Sequence, residues 1–454
     1  MSFFKKIQQD ISGNKDHLEL LEGAANSFFL KIAGIIVSLL FAFVVARLFG
    51  ADTWGVFFLA FTYMTFGAIL GSLGLDFSIL KLSAGIGEND KASITVVYRS
   101  AFIFTIAVSA IVSVLFFVKS AWAASVLFGL PEMTLPFQLA SLGIMPIAII
   151  NLNTNTLQGL KKITVFAFFR YISMNLIGLL FLIPLIYLIS DASQIVITAF
   201  IFGLYFIAVV SQITIYRTGI SIRNNNGNEN NEKKKTRLLF KIALPLLFAG
   251  ILLFSKNWID SIMVGIFLTE SDVGVYTIAL KIAGLINIFF VSIGNIMAPK
   301  ISEIYEKADK NRLEDLIKYS VKVSIWLTLP LLIIIILFSD IFLSLFGSDF
   351  SDGKNALIIL AIGFFLNVTA GPVGHILNMT ESQFAYQNIT FAVVIVGIGL
   401  NFVLIPRYGI EGAAISNFLC LFIWNLVSII HIKNKYHINT LYIPFSSKRL
   451  NSSS

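Results

Sequence analysis

The chain has 454 residues, of which 57% are hydrophobic and 13% charged, and a mean hydropathy of +0.86. These values lie outside the range of water-soluble globular domains and leave a polytopic membrane protein. The 33 Lys+Arg against 25 Asp+Glu give a net charge of +8, which in such a chain marks cytoplasmic loops rather than a nucleic-acid surface. The single cysteine, Cys420, excludes an intramolecular disulfide and a zinc site of the Cys type.

Residues 1–24 are polar and mixed in charge, and they lack the short apolar core and small-residue cleavage site of a signal peptide. They read as a cytoplasmic amphipathic segment, with "MSFFKKIQQDISG" lying on the membrane surface. Apolar windows of about 17 to 25 residues then predict about twelve spans. In chain order these are 26–48, 54–76, 98–118, 135–153, 167–189, 194–216, 240–268, 273–297, 320–338, 355–376, 385–405 and 410–432. Backbone amides in lipid need internal partners, so segments rich in Leu, Ile and Ala must cross as helices.

The loops between these spans set the orientation. With a cytoplasmic N-terminus, one side collects about 26 Lys/Arg and the other about four, namely Arg47, Lys119, Lys354 and Arg407. Both termini are therefore expected on the cytoplasmic side of a cytoplasmic, or inner, membrane. "NNNGNENNEKKKTR" has no apolar period and reads as a flexible linker. It sets the expected division into an N-lobe of helices 1 to 6 (25–216), a basic linker (217–238), a C-lobe of helices 7 to 12 (239–433) and a cytoplasmic tail (434–454).

The halves echo each other. "LFGADTWGVFFLAF" from Leu48 lies over "FLTESDVGVYTIAL" from Phe267, matching Gly55 with Gly274 and Ala60 with Ala279. "SVLFG" ending at Gly129 lies over "LSLFG" ending at Gly347, and "LIP" ending at Pro184 over "LIP" ending at Pro406. With six spans per half the repeats are parallel, which predicts two six-helix lobes related by a pseudo-two-fold axis along the membrane normal, facing a central cavity. That is a transporter architecture.

The run "WIDSIMVGIFLTESDVGVYTIALKIAG" resembles the seventh and eighth helices of bacterial oligosaccharide flippases. These form the polysaccharide-transporter branch of the multidrug/oligosaccharidyl-lipid/polysaccharide exporter superfamily. "NSFFLKIAGIIVSLLFAFVVARLFGADTWGVF" is similar to that family's first helix and its glycine-marked turn, and "YGIEGAAISNF" from Tyr408 to its last hairpin. The resemblance implies a MATE-like fold and translocation of an undecaprenyl-pyrophosphate-linked repeat unit to the outer leaflet for O-antigen, lipopolysaccharide or capsule synthesis. It also implies coupling to a proton or sodium gradient without a bound cofactor, and a polysaccharide polymerase and chain-length machinery as partners.

Charges inside the spans are the candidate site, because a charge at the bilayer centre costs about 2.5–3.5 kcal/mol on insertion scales. Asp260 and Lys281 fall at the same depth on adjacent antiparallel helices and are expected to form an ion pair, with Lys256, one turn from Asp260, as the alternative partner. One carboxylate cannot neutralise Lys31, Lys256 and Lys281 together. Lys31, about five residues into its span, can snorkel. Lys256 is too deep for that and is read as facing a water-filled cavity with anionic cargo such as pyrophosphate. Asn26 and Asn257 lead a set of intramembrane asparagines, Asn401 among them, with amide groups suited to sugar hydroxyls. Trp258 and Tyr276 are candidates for stacking on sugar faces. Pro245, Gly250, Pro330 and Gly371 are hinge candidates.

Two other classes fit the pattern less well. A polytopic polymerase or ligase enzyme would display a long outer loop or clustered acid, base or metal-binding groups, and the scattered His17, His375, His431 and His437 form no such cluster. A multidrug cation exporter of the same superfamily would carry an acidic cavity, whereas the deep charges here are mostly basic.

Overall fold

The computed structural model describes residues 15–87, 90–186, 191–220, 229–307, 309–438 and 440, and side chains within these except at 15–27, 229–234 and 295. The first fourteen residues of the amphipathic segment, the core of the Asn-rich linker (221–228) and the tail beyond 440 lie outside the described residues.

Among the described residues all regular structure is helical. The α-helices are α1 (Lys15–Ser72), α2 (Leu75–Ile86), α3 (Lys91–Trp122), α4 (Thr134–Leu142), α5 (Ile144–Gly159), α6 (Ile163–Ala167), α7 (Ser173–Leu185) and α8 (Ala192–Arg217). They continue with α9 (Glu229–Phe267), α10 (Glu270–Gly284), α11 (Asn287–Glu306), α12 (Lys310–Leu337), α13 (Ser339–Ser344), α14 (Lys354–Ala370), α15 (Val373–Met379) and α16 (Gln383–Tyr436). Among the described residues eight continuous helical stretches are long and apolar enough to cross a membrane, with α6 and α7 together forming one, or ten if the bent pairs α4 with α5 and α10 with α11 each count as one span. The two longest, α1 and α16, are each interrupted by a glycine outside helical geometry, Gly50 (φ 84°) and Gly409 (φ 60°). A residue with a Cβ is strained at such angles, so these glycines permit the chain to turn.

The chain forms two compact units, residues 1–254 and 255–454. Both show the inversion that lipid imposes. On α3, for instance, Ser93, Thr105, Ser109 and Ser120 are buried while Ile111, Val114, Leu115 and Val118 are exposed. Small hydroxyls pack inward, where helices approach closely, and large aliphatic groups face outward.

In the first unit, an aromatic cluster of Phe41, Trp54, Phe57 and Phe200 joins the two halves of α1 to α8. Helix α2 lies against α5, and the contact is possible because residue 159 is glycine, where a Cβ would sit 1.9 Å from Ser83 Oγ. A buried network crosses three helices: Tyr98 Oη donates to Asn153 Oδ1 (2.6 Å), and Asn153 Nδ2 donates to Ser211 Oγ (2.9 Å).

In the second unit, α10 starts at a capping box in which Thr269 and Asp272 exchange side-chain and backbone hydrogen bonds. Helix α14 packs along α16 and against α10 and α12. At the turn of α16, a Cβ on Gly412 would lie 2.3 Å from the Leu404 carbonyl, so only glycine lets its two arms fold back at this distance. Of the hinge candidates, Gly371 (φ 81°) sits at the break between α14 and α15, whereas Pro245 and Pro330 lie inside α9 and α12.

Candidate functional site

The site is built on the second unit by α9 and the two arms of α16. Lys256 and Asp260 are four positions apart, so both project from one face of α9. The arm before Gly409 carries Val393, Gly397 and Asn401, and the arm after it carries Asn417, Cys420 and Trp424. Lys256, Asp260, Val393, Gly397, Asn417, Cys420 and Trp424 line a cavity of about 50 Å³, which has room for water or a small ion.

Asp260 is buried at 8% exposure. Asn401 Nδ2 donates to its Oδ1 at 2.7 Å and Asn417 Nδ2 to its Oδ2 at 2.6 Å. The expected ion pair is thereby corrected: among the described residues no ion pair includes Asp260, and both oxygens are met by neutral amides. Equal depth along two helices fixed the height of Lys281 but not the side of the helix from which it projects. Lys256 turns instead onto an aromatic face, its Nζ 4.3 Å from the centroid of Trp424, where the ring's negative face attracts the ammonium.

Two further buried oxygens belong to this neighbourhood. Among the described residues Asn401 Oδ1 has no hydrogen-bond partner, nor has the hydroxyl of Tyr276, a residue whose exposure is 0% and which feels the charge of Asp260. Full burial removes Tyr276 as a sugar-stacking surface. An orphaned amide oxygen beside a carboxylate is a donor set suited to a small hard cation.

The remaining candidates are dispersed. Lys281 lies on α10 and does not line the cavity, and Asn257 is exposed. Lys31 belongs to the first unit, with its Nζ 5.8 Å from the ring centroid of Tyr171. Asn26 is on α1, among the residues whose side chains are not described.

Sequence reasoning missed a second buried carboxylate. Asp76, at 6% exposure on α2, accepts from Ser72 Oγ at 3.2 Å and from Asn155 Nδ2 at 3.4 Å, and lies within electrostatic reach of Arg170. It closes the span expected at 54–76 and was not among the candidate charges. The available signal was the asparagine-rich "NLNTNT" of α5, which supplies its amide partner.

Residues 44–354 match a sequence family described as polysaccharide biosynthesis protein. The chain belongs to this family. The chain is 29% identical over 187 residues to the probable low-salt glycan biosynthesis flippase Agl15 of Haloferax volcanii, an alignment covering 41% of this chain and 40% of the relative. The chain spans less than half the length of the curated relatives it matches. Among solved structures, it superposes on the lipid II flippase MurJ in an inward closed conformation with a TM-score of 0.71, covering 91% of this chain and 87% of the other at 15% identity. An inward-facing multidrug resistance MATE family transporter of the MOP superfamily gives a TM-score of 0.66 at 16% identity, with 90% and 98% covered. The fold of this family member is thus the all-helical, MATE-like transporter fold expected from the sequence.

Proposed function

We propose that this chain is a flippase that carries a lipid-linked saccharide, specifically an undecaprenyl-pyrophosphate-linked repeat unit, from the cytoplasmic to the outer leaflet. The observation that carries this reading is the Asp260 cage. A carboxylate paired with a lysine is locked into one charge state, because losing either charge strands the other in a low-dielectric setting. A carboxylate held by two amides accepts a proton or a sodium ion without stranding a partner, which is the property a gradient-driven carrier needs. The unpartnered Asn401 Oδ1 adds a neutral oxygen ligand for such an ion.

The cargo class rests on the polysaccharide biosynthesis family and on the basic character of the deep charges Lys31, Lys256 and Lys281. Ammonium groups attract pyrophosphate as point charges without imposing one geometry, and a carrier must also release its cargo. Transport rather than catalysis is the activity read here. The reading takes twelve passages, dividing α1 at Gly50 and α16 at Gly409 and counting each bent pair once. Alternating access of two six-helix lobes, cytoplasmic termini and a polymerase as downstream partner belong to the same reading.

The runner-up, a cation-exporting multidrug antiporter, draws on the MATE fold similarity. One experiment separates them. Deletion in the native host, with lipid-linked oligosaccharide quantified by leaflet, is expected to show accumulation on the cytoplasmic face, reversed by the wild-type chain but not by Lys256→Ala inserted at normal abundance. Unchanged lipid intermediates together with sensitivity to cationic dyes would replace the flippase with the antiporter.

A further inference from the structure

Trp424 is held more firmly than a space-filling aromatic requires. Its Nε1–H donates to Thr390 Oγ1 at 3.2 Å, while the Thr390 hydroxyl itself donates to the Tyr386 carbonyl at 2.7 Å. The Tyr386 ring meets the indole edge-on at 6.0 Å between centroids, and residue 374 is a glycine where a Cβ would come within 3.1 Å of Trp424 Cη2. Three contacts from α15 and the first arm of α16 thus fix the ring plane, and the face it presents is the one over which Lys256 Nζ sits.

Lys256 has an acid one turn away on its own helix, yet its ammonium rests on the ring and the acid is satisfied by amides. We infer that Trp424 is a positioning residue that parks the Lys256 ammonium while no anion is bound and surrenders it when a pyrophosphate headgroup arrives. This rests on the anionic-cargo reading above and adds to it the group that Lys256 leaves.

The physical case is an exchange of like for like. A deep ammonium with no partner is costly, and one held by a carboxylate would compete poorly for cargo. A ring face is an intermediate partner: it stabilises the cation without a counter-charge and is outbid by a phosphate oxygen. Because the ring competes with the cargo, it weakens anion binding and speeds release. Its removal is expected to tighten binding of a pyrophosphate amphiphile by about two- to tenfold.

The test uses the full chain in lipid nanodiscs, with farnesyl pyrophosphate as the probe. The chain has five tryptophans, so its ¹⁵N-labelled indole signals are few enough to resolve, and Trp424→Phe assigns the one of interest. Lys256→Met, which keeps the stem and removes the charge, is expected to move the Trp424 signal. The probe should move the wild-type signal toward that position, saturably, and leave the Lys256→Met signal unmoved. Trp424→Leu, or Trp424→Met should leucine reduce abundance, is expected to bind the probe more tightly per folded molecule. A Trp424 signal unaffected by Lys256→Met would overturn the parking role even if the probe binds and is carried. A signal that Lys256→Met moves, in a wild-type protein that does not bind the probe, would instead sink the anionic-cargo reading and the exchange with it.

Discussion

Asp76 in the first unit and Asp260 in the second are both buried carboxylates that accept hydrogen bonds from neutral groups, yet they are housed differently. Asp260 receives two short amide bonds from the two arms of one bent helix, at 2.7 and 2.6 Å, and shares its cavity with an ammonium turned toward an indole. Asp76 receives the Phe77 backbone N–H, one hydroxyl from the preceding turn and one long amide bond at 3.4 Å, with the exposed guanidinium of Arg170 within electrostatic reach. The first acid is compensated by neutral amides while the neighbouring ammonium turns to the indole, and the second adds a distant cation to its hydrogen bonds. A buried acid can therefore serve as an exchangeable site or as a structural anchor, depending on whether its compensation is neutral or ionic.

The largest expected effect tests that distinction directly. Asp260→Asn should reduce transport by at least about tenfold with protein abundance retained, whereas Asp76→Asn should retain most transport. Equal losses, measured as lipid-linked saccharide translocated per inserted molecule, would erase the difference drawn here.

Backbone substitutions come next. Gly74, two residues before Asp76, has φ +74°, and a Cβ there would lie 2.3 Å from the Ala243 carbonyl oxygen and 2.6 Å from Leu247 N. Gly412, between Asn401 and Asn417, has a comparable clash with Leu404. Alanine at either position is expected to cost about 1–3 kcal/mol, read as a lowered thermal unfolding midpoint in detergent. Gly85, with nothing within 4 Å of its Cβ direction, is the control, and Gly85→Ala should be neutral.

A smaller effect sharpens the comparison at the level of single amides. Asn417→Leu removes the 2.6 Å bond to Asp260 and should destabilise by about 1–2 kcal/mol, while Asn155→Leu removes the 3.4 Å bond to Asp76 and should cost about 0.5 kcal/mol. The reverse order would show that bond length is a poor guide to which acid depends on its amide.

The smallest effect concerns carboxylates outside the spans. Asp90 caps α3: its Oδ1 accepts from the Ser93 backbone N–H at 3.0 Å, and its Oδ2 from the Ser93 hydroxyl. These side-chain and backbone bonds hold its carboxyl below the ordinary value, aided by Lys235. The same direction holds at Asp191, the cap of α8, chiefly through the Gln194 backbone N–H. A depressed folded-state value means that the contribution is present above the unfolded carboxylate range and is lost as pH falls through the folded one. Thermal stability should thus decline modestly below about pH 4, and Asp90→Asn should lessen the decline. A pH response unchanged in that variant would remove the cap from the account.

Much of the architecture was legible before any coordinates. The break at Gly50 falls between the spans placed at 26–48 and 54–76, and the break at Gly409 between those at 385–405 and 410–432. Apolar length and glycine punctuation are local properties and survive any packing. The site was legible only in part. Lys256 and Asp260 stood out because charge inside a span is rare, and Asn401 because its amide lies in one. Asn417 was visible only within "YGIEGAAISNF", a hairpin noted for its resemblance rather than for its amide. Trp424 carried no signal at all, since an aromatic in an apolar run has many uses.

The sequence by itself determined the solvent this protein needs, the order of its spans, the fold class and the few places where charge is buried, because each follows from composition and period along one dimension. The tertiary structure alone decided the partners: amides rather than lysine for Asp260, an indole rather than a carboxylate for Lys256, and a second acid at Asp76. Residues 141 and 157 positions apart meet at one carboxylate, and only the rotation and tilt of packed helices can specify that, since depth along a helix says nothing about the side from which a residue projects.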